Sequence, residues 1–259
     1  MEKITSRQNE KIRQTAFLKK RSERQNSRLF FFEGFHLLEE YLRFGHTPEY
    51  IFVTPNASAA ALKLAGRFSD RVYEVPESVY EKITDERSPQ GVLCVSQFLP
   101  NIKKALPVKG SLLLECLQDT GNVGTVIRTA ASLGTAGIAV SSDCADLYSP
   151  KTVRATMGAL FSADICVVDD IPEAVRHLQN SGGRVFAAML DSNSERLGEF
   201  AVKPDDSFVI GNEGGGVTPE TAKACGKSVF IPMSGKTESL NASAAAAIIL
   251  WEMKKSGNG

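Results

Sequence analysis

From Ser111 onward, short uninterrupted apolar runs alternate with helical stretches, and that alternation leaves few folds open. The runs fall at 112–117, 137–141, 165–168, 184–190, 207–211 and 228–232. Helical stretches separate and follow them at 123–133, 151–161, 172–181, 218–224 and 241–255. A strand with one wet face alternates apolar and polar residues, whereas a strand covered on both faces reads as a continuous apolar run. Covered strands joined by helices predict an α/β fold with a mostly parallel sheet. Ligands of such sheets sit beyond the carboxyl ends of the strands. The loops after 117, 190, 211 and 232 are therefore where chemistry is expected.

Residues 1–105 read as a separate small α/β unit. An aromatic run, Leu29-Phe30-Phe31-Phe32-Glu33-Gly34-Phe35, leads into a helical pattern at Leu37, Leu38, Tyr41 and Leu42. Strands at 50–53, 71–75 and 91–95 alternate with helices at 57–66 and after Pro76-Glu77-Ser78. Pro100 to Gly110 breaks the periodicity, which places a boundary between a domain at 1–105 and one at 111–259. No run approaches the roughly 18 apolar residues of a membrane span, and the N-terminus lacks the apolar core of a signal peptide, so a cytoplasmic protein with no membrane partner is expected. Five widely spaced cysteines and three scattered histidines give no metal-binding or redox spacing, so no metal is expected. Formal charge is zero, yet residues 1–30 hold nine Lys or Arg against three Glu. A basic arm on an acidic body suggests a nucleic-acid partner, although a solvated helix face gives the same pattern.

Three loops carry candidate chemistry. Gly235-Lys236-Thr237 mimics the end of a phosphate-binding loop, but Phe230 and Pro232 stand where that loop needs flexible glycine, so the match is coincidental. The helix that follows is capped by Asn241 and rich in small alanines, which permits close packing. The stretch 112–134 reads strand, glycine turn, helix, with Asp143 beyond it. This outlines a dinucleotide site, but Gly121-Asn122-Val123-Gly124 lacks the third glycine of that fingerprint. Arg128 lies one turn into the helix. In 208–220, a buried-looking strand ends in Gly211-Asn212-Glu213-Gly214-Gly215-Gly216 before a helix near Thr218-Pro219. Its glycines permit close approach of a ligand to backbone, and Glu213 could hold a cation or accept a proton.

In order, these loops resemble the three motifs of the SpoU (TrmH) family of RNA ribose 2'-O-methyltransferases, of the SPOUT superfamily. The first reads Asn122-x-Gly124-x-x-x-Arg128-x-Ala130, and the second Gly211-Asn212-Glu213-Gly214-x-Gly216-x-x-Pro219-Glu220. The third runs from Ile231-Pro232-Met233 to Glu238-Ser239-Leu240-Asn241-x-Ser243. The stretch 149–161 resembles the family's segment between the first two motifs. Residues 1–105 resemble the RNA substrate-binding domain of rRNA-modifying members. Gly215 departs from the larger polar residue of many members.

The resemblance implies a trefoil-knotted α/β domain preceded by a small α/β RNA-binding domain, and S-adenosylmethionine as cofactor. Leu190, Gly211, Asn212, Gly214, Ile231, Met233 and Leu240 would line the cofactor pocket. A ribose 2'-oxygen would attack the donor's methyl, with Arg128 as the family's proposed base, acting with an RNA phosphate and across a homodimer interface. A guanidinium holds its proton at physiological pH, so orienting the phosphate and 2'-oxygen is the role expected of Arg128. Asn122, Glu213, Ser239 and Asn241 would hold that arginine and the loops. Arg7, Lys11, Lys19, Arg21, Arg24 and Arg154 are the expected RNA contacts. The substrate expected is large-subunit rRNA. The alternatives are a tRNA methyltransferase, a catalytically silent RNA-binding relative, and a dinucleotide oxidoreductase using Asp143.

Overall fold

The computed structural model describes residues 1–234 and 239–256, which pack as two units. The first comprises Met1–Leu99 with Asp146–Phe161, and the second Pro100–Ala145 with the chain from Ser162 on.

In chain order the first unit contains β1 (Glu2–Lys3), α1 (Glu10–Phe17), α2 (Arg21–Ser27), β2 (Leu29–Glu33), α3 (Phe35–Arg43), β3 (Tyr50–Val53), α4 (Ala59–Ala65), β4 (Val72–Glu74), α5 (Glu77–Ile83) and β5 (Val92–Gln97). Its five-stranded sheet runs β1-β4-β3-β5-β2, with β5 antiparallel to both neighbours. The aromatic run of β2 is buried on both sides because successive side chains point to opposite faces. Phe31 joins a cluster with Ile12, Tyr50, Phe52 and Tyr80. Phe30 and Phe32 face the other way, against Tyr148 (ring centroids 4.9 Å apart) and Phe161 (5.1 Å). Each large side chain buried in this way contributes roughly 1.5–3 kcal/mol. Residues 146–161 thus complete the first unit's core, although in sequence they lie inside the span expected for the second.

The second unit opens with β6 (Ile102–Lys104), β7 (Ser111–Leu114), α6 (Thr120–Leu133) and β8 (Gly137–Ser141). The chain then leaves it for α7 (Pro150–Ala155) and returns with β9 (Ile165–Val168), α8 (Ile171–Asn180), β10 (Val185–Ala188), β11 (Glu195–Arg196), β12 (Ser207–Ile210), α9 (Pro219–Cys225), β13 (Ser228–Phe230) and α10 (Ala242–Ser256). Eight parallel strands run β11-β13-β10-β12-β7-β8-β9-β6. The parallel sheet read from the apolar runs is present, with four local differences. β7 stops at Leu114 because Cys116 takes φ +54°, which no strand accommodates. The helix expected over 151–161 breaks after Ala155, where Met157 and Gly158 both adopt left-handed φ. Gly121 and Gly124 lie inside α6 rather than in a turn before it, because Asp119 caps the helix early and accepts from Asn122 N–H at 2.7 Å. Finally, β6 and β11 are strands that no periodicity announced; each has one neighbour in the sheet.

Among the described residues, no helix is long and apolar enough to cross a membrane, and no group of three His, Cys, Asp or Glu is placed to hold a metal. All five cysteines are free.

Candidate functional site

Parallel register fixes where the loops emerge. Leu114, Ala188, Ile210 and Phe230 end adjacent strands β7, β10, β12 and β13, so residues 115–119, 189–194, 211–216 and 231–233 open from one edge of the sheet. Three side chains expected to line the pocket are exposed large hydrophobics on this edge or its neighbouring loop: Leu190 (72%), Met233 (40%) and Leu240 (38%). Exposing that much apolar surface on loops otherwise rich in Gly, Asp and Asn suits a ligand that covers it. Ile231 is half-buried.

The second loop is built by close backbone approach. Asn212 and Gly216 exchange both backbone hydrogen bonds (3.0 and 2.9 Å). A Cβ on Gly211 would lie 2.1 Å from the Gly216 carbonyl carbon. Asn212 holds the loop rather than offering its side chain outward. Its Oδ1 accepts from Gly214 N–H (2.9 Å) and Gly215 N–H (3.0 Å), and its Nδ2 donates to the Cys116 carbonyl (2.7 Å). Gly211→Ala should therefore distort the loop at a cost of about 1–3 kcal/mol and weaken cofactor binding roughly tenfold or more by calorimetry. Gly216→Ala, with open space around its Cβ, should cost less despite its φ of +67°.

Glu213 ties this loop to the start of α6. Its carboxylate accepts from Gln118 N–H and Asp119 N–H (3.1 Å each) and from Asn122 Nδ2 (3.0 Å). Asn122 Oδ1 in turn accepts from Asn241 Nδ2 (3.0 Å), and Asn241 Oδ1 caps α10 by accepting from Ser243 N–H (2.9 Å). One hydrogen-bonded chain, Glu213–Asn122–Asn241, thus joins residues from all three motifs.

Burial by itself would raise the Glu213 carboxyl, but its hydrogen bonds from Asn122, Gln118 and Asp119 outweigh that and hold it below the ordinary glutamate value of 4.5. A carboxylate so depressed is a poor proton acceptor at neutral pH; its role here is to clamp two loops. Because the folded value is the lower one, the clamp acts fully above about pH 4.5 and is lost as the pH falls through the depressed value. Cofactor affinity should therefore be flat from neutral pH down to that point and weaken below it. Glu213→Gln should remove the step in a calorimetric pH series.

Arg128 stands apart. It is exposed on α6, and its side chain forms no hydrogen bond or ion pair with a described residue. Six residues along a helix separate it from Asn122 by about 9 Å of rise and 120° of rotation, so its side chain leaves the helix on a different face from Asn122. Ser239 is likewise exposed, without a hydrogen bond to a described residue, and Gly235–Glu238 of the third motif lie outside the described residues.

Sequence reasoning passed over Glu115. It is buried and accepts from Thr218 N–H (2.9 Å), Thr218 Oγ1 (2.9 Å) and Thr221 Oγ1, fastening the start of α9 to the end of β7. The signal was a lone acid interrupting an apolar run. Asp143, the acid of the dinucleotide alternative, accepts from Ser141 Oγ and from Cys116 Sγ (2.8 Å). Burial first, then that hydrogen bond, pushes the Cys116 thiol up to about 12, so it stays protonated.

The expected RNA contacts fare unevenly. Arg24 is buried, and its Nε and Nη2 both donate to Asp146 Oδ2 (3.0 and 2.5 Å), so it does not face solvent at all. Arg7 pairs with Glu81 (3.0 Å), and Arg154 with Glu86. The Lys11 ammonium sits over the Tyr50 and Tyr73 rings (5.0 and 5.2 Å), and Lys19 donates to the Thr84 carbonyl (2.6 Å). Arg21 is exposed at the start of α2.

Residues 110–251 match the SpoU rRNA Methylase family, and residues 9–94 match the MRM3-like substrate binding domain. The chain is 29% identical over 254 residues to the 23S rRNA (guanosine(2553)-2'-O)-methyltransferase RlmP of Bacillus subtilis, covering 98% of this chain and all of that one. It is 28% identical over 204 residues to the 23S rRNA (guanosine-2'-O-)-methyltransferase RlmB of Acinetobacter baylyi, covering 74% of this chain and 81% of that one. Among solved structures, an AdoMet-bound rRNA methyltransferase from Sinorhizobium meliloti superposes with a TM-score of 0.85 at 28% identity, covering 98% of this chain and 97% of that one.

Proposed function

The chain belongs to the SpoU rRNA methylase family and is an RNA 2'-O-ribose methyltransferase that uses S-adenosylmethionine; from that premise we propose that it methylates one ribose of 23S rRNA, in the cytoplasm and as a homodimer. The observation that carries the reading is the Glu213–Asn122–Asn241 chain, which makes one site of three motifs.

The residues at the sheet edge fit the cofactor. Leu190, Met233 and Leu240 offer exposed apolar surface for the cofactor's adenosine, beside a loop whose Gly211 has no room for a side chain. When bound, the cofactor supplies an electrophilic methyl group. The chain's own part is to position the acceptor. Glu213 and Asn122 fix the first loop to the second, and Asn241 fixes the first to α10. Arg128 presents a planar fork to an RNA phosphate and the 2'-oxygen, offsetting the negative charge that develops there.

The isolation of Arg128 supports the dimeric reading. On α10, Ile248 (38% exposed) and Trp251 (55% exposed) lie three residues apart on one face. That exposed apolar face is one a second copy could cover. The family resemblance implies that, within each chain, the C-terminal helix passes through a trefoil knot, which suits the small side chains of α10. Mapping 2'-O-methyl groups in rRNA from cells with and without the protein tests the assignment. One 23S ribose losing its methyl group is the expected result; an unchanged 23S map with a change in tRNA would replace the substrate.

A further inference from the structure

Of the nine cations in residues 1–30, seven are already engaged within the protein. Lys3 pairs with Glu74, Arg7 with Glu81 and Arg24 with Asp146, while Lys11 and Arg28 lie over aromatic rings. Lys19 donates to a carbonyl, and Arg21 also has a partner. Arg13 and Lys20 are exposed and have no side-chain partner among the described residues. Both lie beside Phe17, the last residue of α1, which is 48% exposed. Arg13 is four residues earlier on the same helix face, and Lys20 N–H donates to the Phe17 carbonyl (2.9 Å) in the turn that follows. The unit's other exposed aromatic, Phe44, carries the Arg43 guanidinium 5.0 Å above its ring; Phe17 has no ring or cation partner among the described residues.

A single exposed apolar side chain is ordinary on a protein surface. An exposed ring with no partner among the described residues, flanked by the two cations of a basic segment that also have none there, is a different arrangement. Aromatic faces stack on unpaired bases, and neighbouring cations hold the phosphates on either side. We propose that Phe17 is a stacking platform for an unpaired base of the RNA substrate, with Arg13 and Lys20 gripping the adjacent phosphates. This rests on the reading that the first unit binds RNA, and it names single-stranded rather than duplex RNA as what this corner holds. Charge complementarity favours RNA over a protein partner.

The test uses the full chain and two probes, a single-stranded oligoadenylate carrying one 2-aminopurine and an RNA duplex of equal length. Phe17→Ala should weaken oligoadenylate binding roughly 5- to 100-fold and abolish quenching of the 2-aminopurine, whereas Phe17→Trp should retain both. Duplex affinity and melting temperature should not change. Arg13→Ala with Lys20→Ala should lower the dependence of log affinity on log salt by about 1.4. Wild-type-like oligoadenylate binding by Phe17→Ala overturns the platform and leaves the RNA reading standing. An equal loss on the duplex, or a change only in sedimentation mass, also overturns it, the latter in favour of a protein contact. If the wild-type chain binds neither probe, the RNA reading itself fails and the platform with it.

Discussion

Replacing Arg128 by lysine is expected to abolish methyl transfer almost as completely as replacing it by alanine. A lysine keeps the positive charge but loses the planar, two-pronged donor that can engage a phosphate and a 2'-oxygen together. Removing a donor aimed at developing negative charge lowers turnover by about 100- to 1000-fold, and both variants should fall in that range. Because Arg128 is exposed and lies off the Glu213–Asn122–Asn241 chain, neither variant should disturb cofactor binding. Tritiated-methyl incorporation into rRNA, beside calorimetric titration of the cofactor, separates the two effects. The proposed dimer adds a further expectation. Copies carrying Arg128→Ala, mixed with copies carrying Asn122→Ala, should regain part of the lost activity, since some mixed dimers contain one intact clamp facing one intact arginine. A lysine variant with near wild-type turnover would refute the role, and no recovery on mixing would place Arg128 in its own copy's site.

Much of the second unit was legible because its strands are covered on both faces, which leaves an unbroken apolar signature such as Phe208-Val209-Ile210. The loops were legible because glycine and asparagine stand where backbone must approach backbone: Gly211 has no room for a Cβ, and Asn212 is bonded at both ends of its amide. What escaped has physical reasons. Strands of two or three residues, such as β6 and β11, are too short to show a period, and their neighbours in the sheet alone make them strands. Left-handed backbone at Cys116 and Met157 belongs to residues that rarely adopt it, so nothing in their identity warned of a broken strand or helix. Arg128 was found from the motif, but its separation from the clamp depends on helix rotation. Arg24 misled because a cation in a basic run gives no sign of burial; its partner is 122 residues away.

That pair yields the second large effect, on stability. A cut at the boundary expected after residue 105 would strip β6 from the second unit's sheet and leave residues 146–161 without the core they complete, so truncation tests the fold before it tests RNA binding. Point substitution is cleaner. The Arg24 guanidinium, buried at 3% exposure, donates twice to Asp146 and once to the Leu18 carbonyl (2.5 Å), while Asp146 also accepts from Tyr148 N–H (2.9 Å). Removing either partner leaves an uncompensated buried charge, which costs about 3–5 kcal/mol. Arg24→Ala and Asp146→Ala should each lower the first unit's melting temperature by roughly 10 °C or more. Arg24→Met combined with Asp146→Leu removes both charges and should recover part of that loss, because it still orphans the Leu18 carbonyl and the Tyr148 N–H, at about 1–3 kcal/mol each. Thermal unfolding followed by circular dichroism reads all three. If the single variants melt with the wild type, the pair does not hold residues 146–161 in place. If the double variant is worse than either single one, the pair itself, rather than the burial of an unpaired charge, stabilises the unit.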